Sequence, residues 1–346
     1  MHQYTADLAC QSAALGCDVH VVTTMLAPRD RYSESVQLHT PVVHATTGFA
    51  LEGAHLQGMR CVWRQIMALR PDVVHFTGVH LWNPWLLALL RAHGVATVHT
   101  LHDLDPHPDV RFRRLIRLWN HLVITGAGQL LVHAERYRRR LAGVRPATQV
   151  HAWPLTHTFL GAASNLALAA APPERMWEPW VLFFGRVERY KDINVLLAAA
   201  QQQKGDLPSV VVAGRSSNAL PTPPGVVHLN RHIDDRLGWD LFTRCRAVVL
   251  PYIGASQSAL PAAAYAFGKP VIVSDSGALA ESVTPGRTGW VTPAGDVAAL
   301  AATLSDARDR QPAALAKLGD AGRAWRQAAL AQGRCQLGAL YAAAKA

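Results

Sequence analysis

This sequence is short of lysine. Five lysines stand against 29 arginines, and none occurs before Lys191. A lysine used against so strong a preference marks a place where a compact point charge is wanted instead of a planar fork. Cysteine is sparse as well: Cys10, Cys17, Cys61, Cys245 and Cys335 are scattered, with no Cys-x-x-Cys pair. That spacing excludes a disulfide framework and a cysteine zinc site, and it suits a reducing compartment. No basic leader followed by an apolar run opens the chain, and no stretch reaches the ~20 apolar residues of a spanning helix. No internal repeat is evident. A soluble cytoplasmic protein is the expectation.

With 346 residues, half of them apolar, the chain can bury a sizeable core, and its length suggests two domains. Its formal charge is +10. Much of that lies in two clusters, Arg111, Arg113, Arg114 and Arg117, then Arg136, Arg138, Arg139 and Arg140. In "RFRRLIRLW" the arginines alternate with Phe112, Leu115, Ile116, Leu118 and Trp119, which suits a helix with one basic and one apolar face. Such a helix lies on anionic lipid or holds an anionic acceptor; the alternative is an ordinary solvated face. The charge would also suit nucleic acid, but no nucleic-acid-binding motif accompanies it.

Short β-rich runs alternate with helical periodicity along most of the chain. "CDVHVVTT", "DVVHFT", "VATVHT", "LLVH", "WVLFF", "SVVVAG", "AVVL" and "PVIVSD" read as strands, with helices such as "NPWLLALLRAHG" and "DVAALAATLSDA" between them. Continuous apolar strands alternating with helices predict α/β domains with parallel sheets covered on both faces. The alanine- and proline-rich stretch 161–179 breaks the pattern and reads as a linker.

In such domains ligands sit where strands run out into loops before helices. "FFGRVERYKD", Phe183–Asp192, is one such place. A buried strand stops at Gly185, Arg186 and Lys191 follow, and "INVLLAAA" re-enters the core. Two cations beside a helix N-terminus suit a diphosphate, the alternative being a pair of surface cations. In "LPYIGASQSALPAAAYAFGKPVIVSDSGALAE", Leu250–Glu281, another strand ends at Pro251. A small-residue loop leads to a helix capped by Ser256 or Ser258, with Pro261 in its first turn. That helix stops at Gly268 in the left-handed conformation. A second turn follows at Gly277.

These stretches, with "VVVAG", "PDVVHFT", "TLHDLDPHP" and the run through "SVTPGRTGWVTPAGDVAALAATL", resemble a family 4 glycosyltransferase with the GT-B fold over nearly the whole chain. The resemblance implies two Rossmann-like domains with a cleft between them: an N-terminal acceptor domain over 1–160, the linker 161–179, a nucleotide-sugar-binding domain over 180–325, and a C-terminal helix over 326–346 packing back on the first domain. It implies that Arg186 and Lys191 grip the donor diphosphate, with Ser256, Gln257 and Ser258 as further polar contacts. The base falls to Gly185, Asn230, Arg231 and His232, in and near "HLNRHI". His102 would stand near the donor sugar as the catalytic histidine. Arg113, Arg114 and Arg117 would face the acceptor or a membrane. No cofactor and no metal are expected, the nucleotide sugar being a substrate. The partners are that donor and a saccharide or lipid-linked acceptor, with peripheral membrane contact at the inner face of the plasma membrane and no nucleic acid.

The implied reaction is transfer of a sugar to an acceptor hydroxyl with retained configuration, in exopolysaccharide or cell-envelope glycan synthesis. The leaving phosphate oxygen takes the acceptor proton, so no protein base is needed. Three departures support the alternative of an inactive binding or partner protein. The family's two glutamates fall at Ala255 and Ala263. Asp192 stands where a glycine often follows the motif lysine. "MHQYTADLACQSAALGCDVHVV" reads as the helix that normally follows a first strand, so that strand is expected to be missing from the first domain. Asp103 and Asp105 form an Asp-x-Asp near His99, His102 and His107, a weak metal motif belonging to a different glycosyltransferase fold. Glu281 reads as a structural brace of its turn.

Overall fold

The computed structural model describes residues 2–24, 27–42, 55–102, 104, 113–171, 173–203, 209–254 and 257–345. The chain divides into two units, Met1–Pro154 with Gly161–Ala163 and Ala331–Ala346, and Leu155–Leu160 with Ser164–Leu330.

In the first unit the order is α1 (His2–Ala14), β1 (Val19–Thr24), β2 (Val36–Val42), α2 (Leu56–Leu69), β3 (Val73–Phe76), α3 (Asn83–Ala92), β4 (Ala96–Thr100), α4 (Arg113–Gly126), β5 (Gln129–Val132), α5 (Glu135–Leu141) and β6 (Val150–Ala152). Among the described residues β3, β4, β5 and β6 form one parallel sheet in that order, and β1 and β2 form a separate parallel pair. Val98, Leu130 and Leu131 on the strands and Leu87 and Leu90 on α3 are wholly buried. Burying each such side chain stabilises by about 1.5–3 kcal/mol. Asn83, at the start of α3, donates to the Gly78 carbonyl at 2.7 Å and pairs with His99 at 3.0 Å, which pins the loop after β3.

The second unit holds most of α6 (Ala162–Ala170), then β7 (Val181–Phe184), α7 (Ile193–Gln201), β8 (Val210–Ala213), β9 (Val226–Leu229), α8 (Asp235–Arg244), β10 (Val248–Leu250), α9 (Leu260–Ala266), β11 (Val271–Ser274), β12 (Gly289–Thr292), α10 (Val297–Asp309) and the first part of α11 (Pro312–Lys345). The stretch 161–179, read as an irregular linker, therefore contains a helix. "AASNLALAA" has the propensity for one, and the prolines that suggested irregularity lie beyond its end. From Ala331 onward α11 groups with the first unit, where Tyr341 bonds Ser12 and His75 and Lys345 pairs with Asp72.

The sheet of this unit is parallel, in the order β12-β11-β10-β7-β8-β9. β7 leads outward through β8 to β9; the chain then returns to β10 on the other side of β7 and leads out to β12. The winding thus reverses between β7 and β10, and ligands of open α/β sheets bind at the carboxyl ends of the strands flanking such a reversal. Asp234 and Asp296 cap α8 and α10, accepting from the Leu237 and Ala299 amides at 2.8 and 2.9 Å. α9 ends as its sequence predicts. Gly268 has φ +65°, and the Gly268 and Lys269 amides return to the Tyr265 and Ala264 carbonyls, each at 2.9 Å.

Candidate active site

The loops after β7 and β10 are the ones the reversal brings together. The Ile253 amide donates to the Tyr190 carbonyl at 2.9 Å, tying one loop to the other. Gly185 turns the chain out of β7 with φ +105°, a conformation open to glycine. A β-carbon there would lie 3.1 Å from Lys191 Nζ, and one on Gly214 would lie 2.1 Å from the Gly185 carbonyl oxygen. The backbone here is bare because two strand ends and a lysine converge on it.

Lys191 closes a 3-10 turn over Arg189–Lys191 and is only 9 % exposed. Its ammonium lies 6.0 Å from the Phe183 ring, 5.9 Å from Tyr190 and 5.6 Å from Tyr252. Among the described residues it has neither a hydrogen-bond acceptor nor an ion pair. Ring faces attract a cation, yet burial still lowers Lys191 to about 8, with Glu188 opposing the shift and Arg186 adding to it. Arg186 is different: its side chain is 80 % exposed and pairs with Glu188 at 3.1 Å. Glu188 was not singled out in the sequence. Its place two residues from Arg186 and three from Lys191, in a loop carrying both cations, was the available signal.

Asp192 adopts φ +43° at the head of α7. That is why a glycine suits this position, and why an aspartate, one of the few side chains that visits this region, tolerates it. Burial pushes its carboxyl up. The N-cap of α9 is Ala259, which makes no side-chain cap bond, so Ser258 lies one residue before the cap; its hydroxyl accepts from the Leu260 amide at 3.2 Å and interacts with the Tyr252 phenol. Gln257 beside it is half-buried. Ser256 and Ala255 lie outside the described residues. Ala263, where the family's second glutamate would fall, is 1 % exposed in the core of this unit.

Beyond β9, Asn230 accepts from the Ser216 amide at 2.8 Å, and Val187 bridges to Ser216, so Asn230 braces the loop that adjoins Gly185 and Arg186. Arg231 and His232 are exposed. The structure thus gathers Gly185, Arg186, Lys191, Ser258 and Asn230 around the β7 end of one sheet. Lys269, the other lysine of a core position, is no part of it. Fully buried, it donates to the Met176 carbonyl at 2.5 Å and lies 4.0 Å over the Trp177 ring, holding the chain before β7 to the turn before β11.

His102 belongs to the first unit. Its Nε2–H donates to the Thr77 carbonyl at 3.0 Å, and the Tyr4 ring meets it edge-on at 4.7 Å. His75 and His99, deeper in the same cluster, are driven down to about 3 by burial. Of the weak metal motif, Asp103, Asp105 and His107 lie outside the described residues, while His99 is held by Asn83. Arg114 and Arg117 are exposed on α4, together with Leu115, Leu118 and Leu122 at 46, 55 and 45 %; the Arg113 side chain lies outside the described residues. The second basic cluster is partly neutralised, Arg138 and Arg139 both pairing with Glu135 at 2.6 and 3.2 Å.

A parallel sheet whose winding reverses beside a loop that holds a buried lysine marks the second unit as a Rossmann-like α/β fold. Residues 1–155 match the family model for Glycosyltransferase Family 4, and residues 178–309 match that for Glycosyl transferases group 1. The chain belongs to this glycosyltransferase family. It is 25 % identical to a D-inositol 3-phosphate glycosyltransferase of Streptomyces avermitilis, over 93 % of this chain and 78 % of that one. It is 24 % identical to a GDP-mannose:glycolipid 4-beta-D-mannosyltransferase of Xanthomonas campestris, over 66 % of this chain and 64 % of that one. Among solved structures, sucrose-phosphate synthase from Thermosynechococcus elongatus superimposes with a TM-score of 0.75 at 22 % identity, over 98 % of this chain and 92 % of that one. Anabaena HepE in complex with UDP gives 0.62 at 14 % identity, over 88 and 85 %. These structural likenesses bear out the two-domain α/β fold. Among the described residues no helix is long and apolar enough to cross a membrane.

Proposed function

We propose that this glycosyltransferase moves a sugar from a nucleoside-diphosphate sugar to an acceptor hydroxyl with retained configuration, Lys191 and Arg186 gripping the diphosphate. The observation that carries this reading is the buried Lys191 ammonium, aimed at Gly185 with no hydrogen-bond acceptor among the described residues. Desolvating a charge without pairing it costs stability, and a diphosphate supplies the missing partner. As the glycosidic bond breaks, negative charge grows on the leaving oxygen, and two cations fixed beforehand stabilise it. Arg186 would leave Glu188 for the phosphate. The acceptor oxygen bonds the anomeric carbon on the face the diphosphate leaves. The acceptor proton passes to the leaving phosphate oxygen, so neither a protein base nor a metal ion is assigned a role. His102, oriented through Thr77, is assigned the contact to the donor sugar, and Asn230, Arg231 and His232 the side of the base. Two observations support a place for the relatives' kind of donor and acceptor here: a nucleotide sugar and a glycolipid stand in the mannosyltransferase name, and UDP in the HepE complex.

Calorimetric titration with UDP-, GDP- and dTDP-sugars tests this. Saturable binding of one donor, lost in Lys191→Ala and Arg186→Ala, supports it; donor binding unchanged in both variants refutes the clamp. Turnover surviving EDTA and an unchanged anomeric configuration in the product's NMR spectrum are the matching outcomes for the reaction.

For the acceptor, the exposed Leu115, Leu118 and Leu122 flanked by Arg114 and Arg117 favour a lipid-linked saccharide met at an anionic membrane, in exopolysaccharide or cell-envelope glycan synthesis. Sedimentation with vesicles containing anionic lipid, lost in the Arg114→Ser, Arg117→Ser double variant, is expected. Equal sedimentation of both proteins would overturn this part.

A further inference from the structure

Two neighbouring residues of α1 hold His102 in different ways. Its Nε2–H donates to the Thr77 carbonyl at 3.0 Å, and the Thr77 hydroxyl is itself bonded to Thr5 at 2.8 Å. One hydrogen bond fixes a point on a ring and leaves its plane to turn about that point. The second constraint is Tyr4, which is buried and whose ring meets the imidazole edge-on, centroids 4.7 Å apart and planes at 89°. That is a favoured arrangement of two rings. Tyr4 meets His133 similarly, at 5.0 Å and 75°, so one tyrosine ring packs against both histidines.

The Tyr4 phenol enters a buried chain of hydrogen bonds whose direction is set at its far end. Ser12 donates to the Leu8 carbonyl at 2.9 Å, which uses its one proton. It therefore accepts from Tyr341 at 3.2 Å, and Tyr341 accepts from His75 Nδ1–H at 3.1 Å. A neutral imidazole that donates through Nδ1 accepts through Nε2, and burial keeps His75 neutral by lowering it to about 3. Thr100 thus donates to His75 Nε2 at 2.8 Å and accepts from Tyr4 at 3.0 Å. The chain ties α1 to β4, to β3 and to the last part of α11, which groups with this unit.

We propose that Tyr4 is a positioning residue for His102, setting the plane of the imidazole so that Nδ1 accepts from a hydroxyl of the donor sugar, while Thr100, His75 and Tyr341 fix the tyrosine. The proposal rests on the reading of His102 as the contact to that sugar. With the proton on Nε2, Nδ1 is the accepting nitrogen. A hydrogen bond weakens steeply as it bends, so the plane of the ring, and not only its place, decides how well a hydroxyl is held. A packing role alone needs only an aromatic ring. Tyr4 carries in addition a hydroxyl that has to be bonded to be buried without loss, and the chain that bonds it fixes the angle of the ring. Thr5 and Tyr4 together make the first turn of α1 a two-point grip, one on the carbonyl that holds His102 and one on its face.

The test titrates UDP-glucose, GDP-mannose and dTDP-glucose calorimetrically, each against its bare nucleoside diphosphate, and reads histidine tautomers from long-range proton–nitrogen spectra. The ratio of the two affinities isolates the sugar. In Tyr4→Leu that ratio is expected to fall about three- to tenfold, the strength of one hydrogen bond. Affinity for the bare diphosphate stays unchanged, and the Nε2–H signature of His102 is lost or averaged. Tyr4→Phe keeps the ring and the packing; it is expected to lose a smaller part and to shift the same His102 signals. Identity of Tyr4→Phe with the parent in both readouts overturns the proposal. In a His102→Ala background Tyr4→Leu is expected to cost nothing further, because its effect runs through the histidine; an equal loss in that background also overturns it. A parent without sugar-dependent binding, or a ratio that His102→Ala leaves unchanged, overturns the reading of His102 itself. The His102 spectrum of the Tyr4 variants separates that failure from a failure of the grip.

Discussion

Replacing Lys191 with methionine separates the structural cost of this lysine from its use. Burial holds the ammonium at about 8 where an exposed lysine titrates at 10.5. Below the lower value the folded chain keeps a charge it would prefer to lose, and at pH 7 that amounts to about 3 kcal/mol. The sign follows from proton uptake. Between about 8 and 10.5 the unfolded chain binds more protons at this residue than the folded one. The stability contribution of Lys191 therefore rises with pH through that window and is lost as pH falls to 8. Methionine keeps the volume and the contacts with Phe183, Tyr190 and Tyr252 while removing the charge. Lys191→Met is thus expected to be up to about 3 kcal/mol more stable than the parent at pH 7 in urea unfolding, the gap closing toward pH 10. The same variant is expected to bind no nucleotide-sugar donor. A diphosphate bound to the parent restores the lysine pKa, so at pH 8 binding takes up about half a proton, visible as a dependence of the calorimetric enthalpy on buffer. A variant less stable than the parent at pH 7, or one that binds donor as the parent does, would refute the reasoning, because Lys191 would then be a structural residue like Lys269.

Arg186→Ala is expected to change stability by less than about 0.5 kcal/mol, since its pair with Glu188 is exposed, while donor affinity falls at least tenfold by calorimetry. At position 192, Asp→Gly should leave the Tm within a degree or two of the parent, and Asp→Val should cost about 1–2 kcal/mol because φ is +43°. His75 and His99 are neutral in the fold and held at about 3. Stability is therefore expected to fall as pH drops from 6.5 toward 3, with a slope approaching about 2.7 kcal/mol per pH unit, and His75→Gln should halve it in pH-dependent urea unfolding.

Much of this was written along the chain. Alternation of buried strands with helices dictated parallel α/β units, because a strand covered on both faces has to be apolar nearly throughout, and Val181–Phe184, Val210–Ala213 and Val271–Val273 are. Gly268 stopped its helix as expected, since few other residues take a left-handed φ without strain. The run "GRVERYK" marked its two cations by their place after a buried strand, and the scarcity of lysine singled out Lys191. Other features depended on what distant segments do to one another. Only the packing of Phe183, Tyr190 and Tyr252 around one ammonium separates the buried Lys191 from the exposed Arg186, two cations that look alike in the sequence. Only the contact with Met176 and Trp177 makes Lys269, just as rare a residue, a clamp instead of a binding group. That Asn230 holds the Ser216 amide, a hydrogen bond spanning 14 residues, could likewise be seen only in the fold. Propensity outweighed composition in the stretch read as a linker, where a helix precedes the prolines. The strand order is the largest such decision: a chain lists its strands in sequence, but which edges find partners is settled by how the helices pack across them.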